Sequence, residues 1–99
     1  MATYAVDIDG TLTKDTGDDW MHEITDFLKS KPDQNAIDKI NSLYDAGHQI
    51  FIHTSRPQAM YNVTCLLLKH LKIKYHGLVM GKLKADFYVD ARSRTIDEL

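Results

Sequence analysis

One cysteine in 99 residues, Cys65, leaves no internal disulfide to form. An intracellular, cytoplasmic setting is the expectation that follows. Cys65 falls in the apolar stretch 63–68 and is expected to pack into a core. No apolar run approaches the roughly 20 residues that a membrane-spanning helix needs, so no membrane partner is expected. The N-terminus lacks a basic region followed by an apolar stretch, so no secretory signal is read there. Neither sign of charge dominates: the formal net charge is -2. That balance argues against a nucleic-acid binder held by bulk electrostatics. A local basic cluster, Lys69, Lys72 and Lys74, fits a solvated helix end.

Several familiar site signatures are also missing. The histidines at 22, 48, 53, 70 and 76 form neither HExxH nor a Cys/His spacing, which argues against zinc. The run Gly77-x-x-x-Gly81-Lys82 is one residue short between its glycines for a phosphate loop. Leu83 also stands where that loop needs Ser or Thr. Counted as a calcium loop from Asp7, the chain has Leu12 where Gly is required and Asp18 where Glu is usual.

What is present is a globular composition, 43% hydrophobic and 26% charged. It suits a single domain over 1–99 with one modest core and little room for a separate cap. Residues 4–8 read as a buried strand, and the polar stretch 11–17 as a loop. Asp18 or Asp19 is expected to cap a helix reaching about Lys29, with Trp20, Ile24, Phe27 and Leu28 on one face. Pro32 ends that segment, and a second helix starts near Asp33. Its stripe is Ile37, Ile40, Leu43 and Tyr44, and Gly47 is its stop. Residues 49–53 form the second strand, and Thr54-Ser55-Arg56-Pro57 a loop. A third helix is predicted to run to about Leu71 with Met60, Val63, Leu67 and Leu71 inward. Strands at 78–80 and 86–89 and a helical turn at 95–99 complete the set. Strands alternating with helices imply a parallel sheet with helices on both faces.

Asp7-Ile8-Asp9-Gly10-Thr11 is the most informative run in the chain. On a regular strand, carboxylates two positions apart point to the same side. These two sit where an apolar run meets a glycine, at the mouth of a sheet. Like charges held so close raise the pKa of one partner or call for a cation between them. An oxygen-rich site of this kind suits Mg²⁺, with substrate phosphate and water completing the shell. A polar turn after a strand is the plainer alternative. In parallel sheets ligands bind at the carboxyl ends of the strands. Asp7 and Asp9 end the first predicted strand, Thr54 and Ser55 the second and Asp90 the fourth, while Lys82 follows the third.

With these motifs in place, the chain resembles the haloacid dehalogenase (HAD) superfamily of aspartate-nucleophile phosphatases. Asp7-Ile8-Asp9-Gly10-Thr11 is similar to its first motif, Thr54 to its second, Lys82 to its third and Asp90 to its fourth. The stretches AIDKINSLYDAGHQIFIHTSRP and LKIKYHGLVMGKLKADFYVDAR resemble the small capless phosphatases of capsule-polysaccharide biosynthesis. The likeness covers most of the chain, with a variable loop and helix insert at about 13–35 as the exception. It implies a Rossmann-like three-layer α/β sandwich with a small parallel sheet and no cap or a minimal one.

The resemblance also implies roles. Asp7 is the expected nucleophile and Asp9 the expected acid and base. Mg²⁺ is expected on the Asp7 carboxylate, the Asp9 backbone carbonyl and Asp90, with water and phosphate completing its shell. Thr54, Ser55 and Lys82 are expected to bind the substrate phosphate. Arg56 is a further candidate for a substrate anion, with a surface ion pair as its plain alternative. His53 reads as a polar plug at a strand end. Lys84 is a rival to Lys82, which is preferred for its place directly after Gly81. The subgroup usually carries two adjacent acids after the fourth strand, where this chain has Asp90-Ala91, so a group near the metal is lost.

The function expected is a Mg²⁺-dependent phosphatase acting on a small phosphorylated metabolite, a sugar phosphate or a nucleotide. A site without a cap leaves room for a homo-oligomeric partner to cover it. A nucleic-acid or protein phosphatase is one alternative. A non-catalytic or weakly active phosphate-binding protein is another.

Overall fold

A computed structural model of the chain describes residues 1–14 and 31–99. The helix expected between Asp18 or Asp19 and Lys29 lies outside the described residues. The described residues that flank this segment are drawn together. Thr13 bridges Pro32, Lys14 N–H donates to the Lys31 carbonyl at 2.7 Å, and Asp33 N–H donates to that of Leu12 at 2.9 Å.

Three short strands, β1 (Thr3–Val6), β2 (Gln49–His53) and β3 (Gly77–Val79), form a parallel sheet in the order β1-β2-β3. Val6 lies opposite Ile52, and His53 opposite Val79. Two helices make the crossovers, α1 (Gln34–Asp45) and α2 (Tyr61–His70). The result is a small α/β fold of Rossmann-like type.

Helix α1 follows its sequence signals closely. The Asp33 carboxylate caps it by accepting from Ala36 N–H at 3.2 Å. At the other end Gly47 takes φ +96°, a left-handed conformation that costs glycine little. Gly47 N–H then donates to the Tyr44 carbonyl and His48 N–H to that of Leu43, both at 3.1 Å. This paired closure satisfies carbonyls that the helix end would leave without donors.

Helix α2 departs from expectation by a shift of phase. A 3₁₀ turn, Gln58–Met60, precedes it. The buried residues are then Met60, Thr64, Leu67 and Leu68, while Val63 and Leu71 are half-buried. Cys65 is also half-buried, so the core position expected for it goes to its neighbour Thr64.

Val6, Ile50 and Ile52 from the strands, Ile37 and Ile40 from α1, and Leu67 and Leu68 from α2 share one buried cluster. Both helices therefore pack on the same face of the sheet. Two right-handed crossovers stepping in the same direction produce that arrangement. The alternate strand residues look the other way: Thr3, Ala5 and Gln49 are exposed, and Phe51 and His53 half-buried. Among the described residues the sheet thus carries helices on one face, and the third layer expected from the sequence is not part of them.

The predicted fourth strand is also corrected. Residues 86–89 form no strand, and Phe87 and Val89 are 83% and 95% exposed. Local hydrogen bonds occupy this stretch instead. The Tyr88 hydroxyl donates to the Leu83 carbonyl at 2.6 Å and accepts from Ala85 N–H at 3.3 Å. Asp90 Oδ1 accepts from Arg92 N–H at 2.6 Å. Side chains that bond their neighbouring backbone offer it an alternative to sheet pairing. The terminal turn is present as a 3₁₀ helix, Ile96–Glu98, closed by a Thr95–Glu98 capping box.

Candidate functional site

Beyond β1 the backbone folds around one carbonyl. The Ile8 oxygen accepts from the N–H groups of Thr11, Leu12 and Thr13 at 3.1, 2.8 and 3.1 Å. Ile8 and Leu12 are fully buried beneath this turn, which Gly10 enters at φ +78°. Asp7 and Asp9 flank the anchored Ile8, so their positions are set by the core below them. Both are half-buried at the carboxyl end of the sheet.

The loops after β2 and β3 are laced together beside them. Thr54 N–H donates to the Val79 carbonyl, Gly81 N–H to that of Arg56 and Lys82 N–H to that of Thr54, each at 2.9 Å. Thr54 is fully buried, and its hydroxyl accepts from Arg56 N–H at 3.1 Å, closing the turn that carries Ser55 and Arg56. Thr54 therefore acts here as the loop's internal tie.

Four charged groups meet at this edge. Lys82 Nζ lies 3.9 Å from Asp7 Oδ2, beyond direct hydrogen-bond reach. Asp7 Oδ1 accepts from Ile8 N–H at 2.8 Å. The Arg56 guanidinium grips Asp9 with both arms, Nε to Oδ2 at 2.9 Å and Nη2 to Oδ1 at 2.8 Å. Arg56 is 4% exposed, so it is neither a surface ion pair nor a group reaching into solvent. Burial pushes the Asp7 carboxyl above its ordinary value, and the negative charge of Asp9 adds to this. The Ile8 N–H, Lys82 and His53 work in the opposite direction.

Asp7, Asp9, Thr54, Ser55, Arg56 and Lys82 thus stand on the loops that follow three adjacent parallel strands. Asp90, the remaining expected metal ligand, makes no recorded contact with them. It is exposed, and its carboxylate is engaged with Arg92 in its own turn. Among the described residues no group of three His, Cys, Asp or Glu side chains is arranged to hold a metal ion. Lys84 is exposed, and Lys82 is the lysine that faces Asp7.

Two participants were not legible in the sequence. Tyr88, in a stretch read as a strand, lies with its ring 4.0 Å from Lys82 Nζ. The bidentate Arg56–Asp9 pair joins residues 47 positions apart. The β1–β2 register, with Val6 opposite Ile52, brings their loops side by side. An open groove of about 640 Å³ lies elsewhere, between α1 and the C-terminal turn. It is lined by Asp38, Lys39, Leu43 and Asp97 among others, and none of the site residues borders it.

No protein-family model matches this chain, and no curated protein matches it. Among solved structures it is similar to the crystal structure of a target protein from Vibrio cholerae. The TM-score is 0.78 at 23% identity, over 99% of this chain and 86% of that one. At that identity the likeness establishes a shared fold.

Proposed function

We propose that the chain is a phosphate-monoester hydrolase of the haloacid dehalogenase type, acting on a small phosphorylated metabolite such as a sugar phosphate or nucleotide. The observation that carries the reading is Asp7, held by Ile8 N–H with its other oxygen facing Lys82 at the carboxyl end of a parallel sheet. In this reading an Asp7 oxygen attacks phosphorus and the bond to the leaving oxygen breaks. The leaving oxygen takes a proton from Asp9. Water then attacks the aspartyl phosphate, giving a proton back to Asp9 and releasing phosphate and free Asp7. The Lys82 ammonium offsets charge on the transferring group, which is the main task in phosphoryl transfer.

Arg56 enters through its hold on Asp9. Both Asp9 oxygens accept from the guanidinium, and a carboxyl that must present a proton has to give up one of those bonds. A phosphate dianion offers the same fork a second bidentate partner.

Mg²⁺ belongs to the proposal as the cofactor that the resemblance implies. Of the expected ligands, Arg56 engages the Asp9 carboxylate and leaves its backbone carbonyl aside, while the Asp90 carboxylate is bonded within its own turn. No step is therefore routed through the metal. The same Arg56–Asp9 pair favours a second reading, a phosphate-binding protein with little or no turnover.

Hydrolysis of an aryl phosphate, with and without Mg²⁺, separates the two. Phosphate release by the wild type and its loss in a folded Asp7→Asn variant are expected. Activity retained in Asp7→Asn would remove the covalent route. Binding of inorganic phosphate without hydrolysis of any ester would leave the second reading.

A further inference from the structure

We propose that Tyr88 is a positioning residue for Lys82, its ring holding the ammonium group at the Asp7 carboxylate. The lysine stem is long and flexible, and its backbone attachment to Thr54 sets only where the side chain begins. Two attractions settle where it ends. The Tyr88 ring centre lies 4.0 Å from Nζ, inside the range in which an aromatic face attracts a cation. Asp7 Oδ2 lies 3.9 Å from the same nitrogen.

The ring is itself fixed. The Tyr88 hydroxyl donates to the Leu83 carbonyl at 2.6 Å and accepts from Ala85 N–H at 3.3 Å. These bonds close a loop that starts directly after Lys82, so the ring folds back over the lysine that precedes it. With 20% of its side chain exposed, Lys82 is more confined than a surface lysine, which strengthens its attraction to the ring. The 3.9 Å spacing also leaves the ammonium its direct hydrogen bonds for another acceptor, such as a phosphate oxygen arriving at Asp7. The consequence for catalysis rests on the function proposed above, whereas the placement of the amine does not.

The experiment records proton–carbon spectra of the whole chain with ¹³C-labelled lysine, using Lys82→Met to assign the Lys82 signal. An ammonium over a ring has its neighbouring Cε protons shifted upfield by the ring current. That shift is expected in the wild type, reduced in Tyr88→Phe, which keeps the ring but loses the hydroxyl bonds that hold it, and lost in Tyr88→Leu. Loosening of the fold would average the shift away as well, so circular dichroism checks each variant for folding. With an aryl phosphate, Tyr88→Leu should lower kcat/KM about two- to fivefold, as loss of a cation–π contact implies, and Tyr88→Phe, whose ring is no longer tied down, should fall between Tyr88→Leu and the wild type. No upfield shift in the wild type would overturn the proposal. So would its persistence in Tyr88→Leu, or an unchanged kcat/KM in an active Tyr88→Leu enzyme. A wild type that hydrolyses no phosphate ester would instead remove the proposed function, and the ring-current shift would still decide the placement.

Discussion

The Arg56 guanidinium spans both oxygens of Asp9 across the loops that follow β1 and β2, with 5% and 13% of the two side chains exposed. A buried pair of this geometry is costly to break from one side, because the remaining charge stays in a poor solvent for it. Asp9→Leu or Arg56→Met alone should each destabilise the fold by about 3–5 kcal/mol. The double variant should lose less than the sum of the two. Urea unfolding of the four proteins checks this, and additive losses would show that the pair is not coupled.

Asp7 carries a pH signature whose sign follows from its burial. Its pKa in the folded chain lies above the ordinary 3.8. Between the two values the folded state binds more protons than the unfolded state, so stability falls as pH rises through that window. Asp7→Asn removes this dependence. The melting temperature of the variant, relative to wild type, should therefore climb from about pH 4 and level off once Asp7 is fully ionised. A difference that stays flat with pH would show that Asp7 titrates normally. A nucleophilic Asp7 must be ionised, so the acidic limb of activity should also lie above 3.8.

Asp90 makes a direct test of the metal. Its carboxylate is bonded to Arg92 N–H in an exposed turn, and among the described residues no three His, Cys, Asp or Glu side chains form a metal cluster. Asp90→Asn should leave the Mg²⁺ concentration for half-maximal hydrolysis unchanged. Loss of even an outer-shell partner of a metal usually costs about 10–100-fold in affinity or activity. A rise of that size would show that residues 86–90 bring Asp90 to Asp7 when the metal binds.

Gly77 begins β3 against the ring of Phe51. A β-carbon there would lie 2.7 Å from Phe51 Cδ1 and 2.8 Å from Cε1, so the ring has to move. Gly77→Ala should cost about 1–3 kcal/mol, as overpacking commonly does. The cost should shrink when it is combined with Phe51→Leu, which clears the space. Chemical denaturation of the single and double variants measures both effects.

Strong local signals in the chain had strong structural counterparts. The Asp33 cap, the Ile37–Ile40 stripe and Gly47 mark out α1 because capping and left-handed turns depend on neighbouring residues alone. The alternation in QIFIH fits β2 because Ile50 and Ile52 share one buried face. Residues 86–89 show the limit of such reading. Their β-forming side chains favour a strand, but the Tyr88 hydroxyl finds backbone partners five and three residues back, and that closure prevails.

The sequence by itself determined a run of carboxylates at the end of an apolar strand, polar and basic residues after two later apolar runs, and a single modest core. Those features are local, and their chemistry can be read from neighbours along the chain. Only the tertiary structure decided that Arg56 occupies Asp9, that Lys82 rather than Lys84 faces Asp7, and that Tyr88 lies against that lysine. It also decided that α1 and α2 share one face of the sheet and that the Asp90 carboxylate is bonded within its own turn. Each of these depends on the register of parallel strands and on the path of loops between them. Partners distant in sequence meet there for geometric reasons that no short motif encodes.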